Sequence, residues 1–124
     1  MVRLVLEAAA GKKAEALVAL NLKNIASFTD CFVICSGAQS RQTRAICDAI
    51  LEALGVKGVR PGHVEGYDRG DWILIDLSDL IIHIFTRETR EFYNLERLWG
   101  DAPGFELERT ETRRKRGTSA ARKG

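Results

Sequence analysis

The run from Gly70 to Ala102, GDWILIDLSDLIIHIFTRETREFYNLERLWGDA, changes its hydrophobic period part-way, and that change decides the fold. From Trp72 to Phe85 apolar and β-branched residues alternate or run together, which predicts two short strands around a turn at Leu77 to Asp79. From Glu88 to Trp99 the spacing becomes helical. Phe92, Leu95 and Leu98 or Trp99 fall on one inner stripe, Thr86 is placed as the N-cap and Gly100 as the stop. The same run concentrates chemistry: both tryptophans, Tyr93, and seven acids against three arginines, for a net charge of −4.

Working outward, Gly55 to Gly70 is glycine-rich, carries Pro61 and has few large apolar residues, so it reads as a turn, a short strand near His63 to Glu65, and a loop. Before it, Ser40 to Leu54 has the pattern of a helix. Ala45, Ile46, Ala49, Ile50, Ala53 and Leu54 make one apolar stripe, with Arg44 and Asp48 spaced to pair on the opposite face. CFVICS, Cys31 to Ser36, is a β-prone apolar run, and Gly37 after it permits a tight strand-to-helix turn. Ala16 to Leu22 reads as a strand and Met1 to Ala10 as a short helix with Val2, Leu6 and Ala9 on one face. The order is helix, strand, strand, helix, strand, strand, strand, helix. It predicts an α/β single-domain sandwich with one mixed β-sheet, and a helix crossing over between Ser36 and His63 implies a parallel strand pair.

A chain of 124 residues, 45% of them hydrophobic, is enough for one buried core and too little for two. The formal charge of +2 is unevenly spread: residues 1–105 carry −2 and residues 106–124 carry +4. We therefore divide the chain into a domain at 1–105 and a basic, disordered tail at 106–124, where only Leu107 is a large apolar residue. Cys31, Cys35 and Cys47 are an odd number with no signal peptide ahead of them, which suits free thiols in the cytoplasm. No apolar run approaches the roughly 20 residues of a membrane span, so no membrane association is expected.

Gly37 to Ser40 has the position of a phosphate-binding turn, but its spacing is neither a Walker loop nor GxGxxG. A metal-dependent nucleotidyltransferase would also need two or three carboxylates converging on paired metals. Asp71 and Asp76 stand at an odd spacing and Asp79 lies in the turn, so metal, cofactor and catalytic residues are all expected to be absent. Cys31 and Cys35 share a strand face without a CxxC pair to anchor zinc, and His83 between Ile82 and Ile84 reads as a hydrogen-bonded core or edge histidine. Asp76 and Asp79 can serve simply as hairpin-turn formers. Two tryptophans at element ends, with Tyr93 and surplus acids, have the character of interface anchors.

Asp71-Trp72, Asp76, Asp79, His83 and Phe85, followed by Arg90, Phe92 to Glu96 and Leu98 to Pro103, resemble the ribosomal silencing factor (Iojap-like) family. TDCFVICSGAQSRQTRAI, Thr29 to Ile46, is similar to a second segment of that family, with Cys31 in place of its usual tyrosine. The resemblance covers roughly residues 2–103. It implies a nucleotidyltransferase-like topology without the catalytic carboxylates, and a non-enzymatic function. The family binds the large ribosomal subunit at its fourteenth protein and sterically blocks the small subunit, repressing translation under nutrient limitation. With that partner the acidic aromatic face becomes a docking surface, and the expected contact set is Trp72, Asp76, Asp79, Tyr93, Glu96 and Trp99. The basic tail is a candidate for peripheral contact with ribosomal RNA, and two alternatives remain: a metal-dependent nucleotidyltransferase or nucleotide-binding enzyme, and a homodimer using the same aromatic face.

Overall fold

The computed structural model describes residues 1–22 and 29–93, together with the backbone of 106–109. Within them run helix α1 (Val2–Gly11), strands β1 (Glu15–Asn21) and β2 (Cys31–Gly37), and helix α2 (Ser40–Val56). Strands β3 (His63–Glu65), β4 (Trp72–Asp76) and β5 (Leu80–Thr86), helix α3 (Arg87–Tyr93) and strand β6 (Glu106–Arg109) follow. Among the described residues one mixed sheet has six strands in the order β3-β4-β5-β2-β1-β6. Its single parallel pairing joins β2 to β5, Cys31 opposite Leu80 through Gly37 opposite Thr86. The crossover expected from α2 is present, but it carries the chain past two positions to the far edge. The antiparallel β3-β4-β5 meander then brings β5 back beside β2.

Strand β2 is buried on both faces, which is why its sequence is a near-continuous apolar run rather than an alternation. Residues of one parity, Val33, Cys35, Ile73, Ile75, Ile82 and Ile84, meet Val5, Leu6 and Ala9 of α1 and Ile46, Ile50 and Leu54 of α2. The buried stripe of α2 is rotated from the expected one, with Thr43 and Cys47 inside and Ala45, Ala49 and Ala53 at its flank. Arg44 and Asp48 do not pair with each other. Arg44 donates to the Asp68 carbonyl at 3.1 Å, and Asp48 accepts from the Tyr67 hydroxyl at 2.9 Å, so both tie α2 to the loop before β4.

Residues of the other parity, Val18, Leu20, Phe32, Ile34 and Phe85, make a second, smaller cluster joined by Trp72 and Ile81. Helix α3 lies on this side. One expectation for the tail is corrected here: four residues of the stretch read as disordered, Glu106–Arg109, pair antiparallel with β1 from Asn21 to Val18. Backbone hydrogen bonding to an open sheet edge makes this strand possible without an apolar run of its own. Residues 110–124 lie outside the described residues, as do Glu96, Trp99 and the expected helix beyond Tyr93.

Candidate functional site

Over its described residues helix α3 buries none of its side chains, so polar contacts supplement what apolar packing it has. Its start is capped as the sequence suggests: the Thr89 amide donates to Thr86 Oγ1 at 3.3 Å. Two arginines then fasten it to β1. Arg87 donates twice to the Glu15 carboxylate, with Nε 2.6 Å from Oε1, and Arg90 donates to the Ala16 carbonyl at 2.6 Å. Those acceptors are presented by a bulge between Glu15 and Val18, where Ala16 takes the left-handed conformation (φ +48°). Bonding to Arg87 holds the Glu15 carboxyl below its ordinary range and raises the Arg87 guanidinium.

This clamp sets the rotation of the helix and corrects the expected inner stripe. Arg87, Arg90 and Tyr93 follow one another at helical three-residue spacing, so the side toward the sheet is theirs, while Phe92 is turned outward and is 79% exposed. Tyr93, 49% exposed, packs on Trp72 with ring centroids 4.8 Å apart, and Phe92 meets Tyr93 edge-on at 5.0 Å. Trp72 is half-buried. It rests on Phe85 at 5.0 Å, and its indole N–H donates to His83 Nδ1 at 3.0 Å.

Between α3 and the loop before β4 is an open groove of about 480 Å³. Trp72, Tyr93 and Phe92 form its aromatic side; Asp71, Glu88 and Arg69 supply its charges, and Gly66 and Thr89 complete it. Asp71 is bridged by Arg69 at 3.0 Å. The loop wall is shaped by glycines: Gly66 has φ +81°, and a Cβ there would sit 2.1 Å from the Trp72 carbonyl oxygen. Gly70 (φ +76°) lies so close to α2 that a Cβ would be 2.6 Å from that of Ser40, and its carbonyl accepts from Thr43 Oγ1 at 2.6 Å.

The structure divides the expected contact set. Trp72 and Tyr93 touch, whereas Asp76 is at the opposite end of β4, four residues or about 13 Å away along the strand. Asp76 Oδ1 accepts from the Ser78 amide at 2.8 Å and so stabilises the hairpin turn, whereas the Asp79 backbone carbonyl accepts from the Asp30 amide at 3.1 Å, tying the turn to the start of β2. Phe92, Asp71 and Glu88 were missed as groove residues. Phe92 was assigned inward by periodicity, and no local signal reveals that a distant bulge at Glu15 and Ala16 sets the helix rotation.

The other chemistry candidates are filled from within. Gln42 occupies the turn at Gly37 to Ser40: its Oε1 accepts from the Ala38 amide at 2.7 Å and its Nε2 donates to the Lys13 carbonyl at 3.0 Å. Burial pushes the Cys35 thiol up to about 12 and Cys47 up to about 11, the opposite of what a thiolate ligand or nucleophile needs. Among the described residues no three His, Cys, Asp or Glu side chains are grouped to hold a metal ion, and no helix is long and apolar enough to cross a membrane. His83 is buried and hydrogen-bonded as expected, its Nδ1 accepting from Trp72, but its Nε2 is buried without a partner.

The family described as ribosomal silencing factor during starvation matches residues 1–124. The chain belongs to the ribosomal silencing factor family. Within it, the ribosomal silencing factor RsfS of Halalkalibacterium halodurans is 43% identical over 108 residues, 87% of this chain and 92% of that protein. The corresponding protein of Bacillus subtilis is 39% identical over 97 residues, 78% of this chain and 82% of that one. A more distant relative is the mouse protein named mitochondrial assembly of ribosomal large subunit protein 1, 36% identical over 75 residues, 58% of this chain and 33% of its own length. A crystal structure from Bacillus halodurans has a TM-score of 0.72 at 40% identity, covering 79% of this chain and 91% of that one.

Proposed function

We propose that this chain is a cytoplasmic ribosomal silencing factor that docks on the large ribosomal subunit through its fourteenth protein. There it sterically blocks the small subunit, repressing translation under nutrient limitation. The role needs neither turnover nor a cofactor. The observation that carries the reading is the half-exposed aromatic wall of Trp72, Tyr93 and Phe92 beside the carboxylates of Asp71 and Glu88, in a chain of this family. Aromatic anchors that are rigidly held and bordered by acids suit a basic protein partner. The names of the relatives support a ribosomal setting, and that of the mouse protein supports the large subunit in particular.

In this reading Trp72 and Tyr93 are the central anchors, and Asp76, Asp79, Glu96 and Trp99 extend the contact. Sedimentation of purified subunits tests it: added protein should ride with the large subunit and reduce the fraction of joined ribosomes. Undiminished joining at saturating protein would refute the proposal, and a protein that only pairs with itself would favour the homodimer. Removing residues 110–124, which spares β6, tests the RNA arm by asking whether the salt dependence of binding becomes shallower.

A further inference from the structure

We infer that His83 is a positioning residue for Trp72, holding the indole in the one orientation that forms the wall of the groove. This rests on the docking reading above and adds the residue that sets its geometry. His83 stands on β5 and is 5% exposed, in a layer with the apolar Val18, Leu20, Ile34 and Phe85. An aliphatic side chain would fill such a place without penalty. His83 instead leaves Nε2 buried and unpartnered, a cost that natural cores rarely carry without return.

The return is at the other nitrogen. An indole N–H can only donate, so Nδ1, 3.0 Å away, is the acceptor, the imidazole is neutral and its proton sits on Nε2. Burial, which pushes the His83 imidazole down to about 4, acts in the same direction. Packing alone leaves the indole underdetermined, because its outer torsion has broad, roughly two-fold preferences and a half-turn occupies a similar volume. A hydrogen bond to a fixed nitrogen removes that freedom. His83 is itself fixed, stacked on Phe85 with a 7° interplanar angle and edge-on to Phe32 at 4.6 Å. The contacts therefore run from Phe32 through His83 to Trp72 and on to Tyr93, so the buried layer dictates how the exposed aromatic pair is presented.

Two substitutions separate positioning from bulk. His83→Leu keeps the volume and removes the acceptor, whereas His83→Asn places a carbonyl oxygen close to where Nδ1 stood. The readouts are the Trp72 indole N–H resonance of the ¹⁵N-labelled full chain, assigned by its loss in Trp72→Phe, and affinity for purified large subunits. In His83→Leu the indole proton should move upfield and exchange faster, and affinity should fall about tenfold. His83→Asn should restore both. An unmoved indole resonance in His83→Leu overturns the inference, as does a moved resonance with unchanged affinity. If His83→Leu does not fold, the decision passes to His83→Asn, where a displaced indole resonance in a folded protein is the overturning result. Unchanged affinity in Trp72→Ala would remove the docking reading instead, and the resonance alone would still decide whether His83 orients Trp72.

Discussion

The two faces of the sheet are built on different physics. Toward α1 and α2 the contacts are aliphatic and closed: Val33, Ile46, Ile50, Ile73, Ile75, Ile82 and Ile84 are all 0% exposed. Toward α3 the layer is shorter and richer in rings, with Phe32, His83, Phe85 and Trp72, and the helix above it buries none of its own residues. There the Tyr93 ring on Trp72 is joined by polar contacts from Arg87 and Arg90 to β1. Apolar burial is thus concentrated on one face, which leaves aromatic surface on the other that the proposed docking can use without loss of the fold.

The largest test of this contrast is Ile82→Ala on the closed face. It should cost about 3–4 kcal/mol in urea unfolding while leaving the affinity of the folded fraction for ribosomal subunits unchanged. On the ring-rich face the corresponding probe is pH. His83 titrates near its ordinary 6.5 when unfolded but is pushed down to about 4 by burial, so only the unfolded chain takes up the proton between those values. Stability should be full above about pH 6.5 and fall by about 3 kcal/mol as pH drops toward 4, and His83→Leu should abolish that slope. From about pH 4.5 downward the lowered Glu15 carboxyl adds acid sensitivity of the same sign.

A smaller effect is expected at the bulge that presents the clamp. Ala16→Gly relieves a left-handed alanine, and after the added flexibility of the unfolded chain it should gain roughly 0.5 kcal/mol by thermal melting. The smallest global effect belongs to Arg87→Gln. Its pairing with Glu15 is solvent-exposed, so overall unfolding should hardly move, whereas hydrogen exchange in α3 should quicken and that of β2 and β5 should not. Equal quickening in the strands would show that α3 is part of the folding core and break the comparison.

Most element boundaries were legible because period and punctuation agree. Gly37 ends β2, the turn at Leu77 to Asp79 divides β4 from β5, and Thr86 caps α3, each where local chemistry places it. The candidate site was legible in composition but not in arrangement. Periodicity placed Phe92 inward, yet Arg87 and Arg90 rotate it outward by bonding residues more than seventy positions earlier. Asp76 and Asp79 belong by composition to one acidic aromatic set, yet strand length separates them from Trp72 and the turn engages the Asp76 carboxylate.

By itself the sequence determined the period of each segment, the start of α3 and the family, because these depend on neighbours within a few residues or on a long irregular motif. Tertiary structure decided the parallel pairing of β2 with β5, the strand at Glu106–Arg109, the rotation of α3 and the orientation of Trp72 toward His83. Each of these is a choice between local conformations of similar energy. Hydrogen bonds and packing from distant parts of the chain make the choice, and short-range spacing carries no record of them.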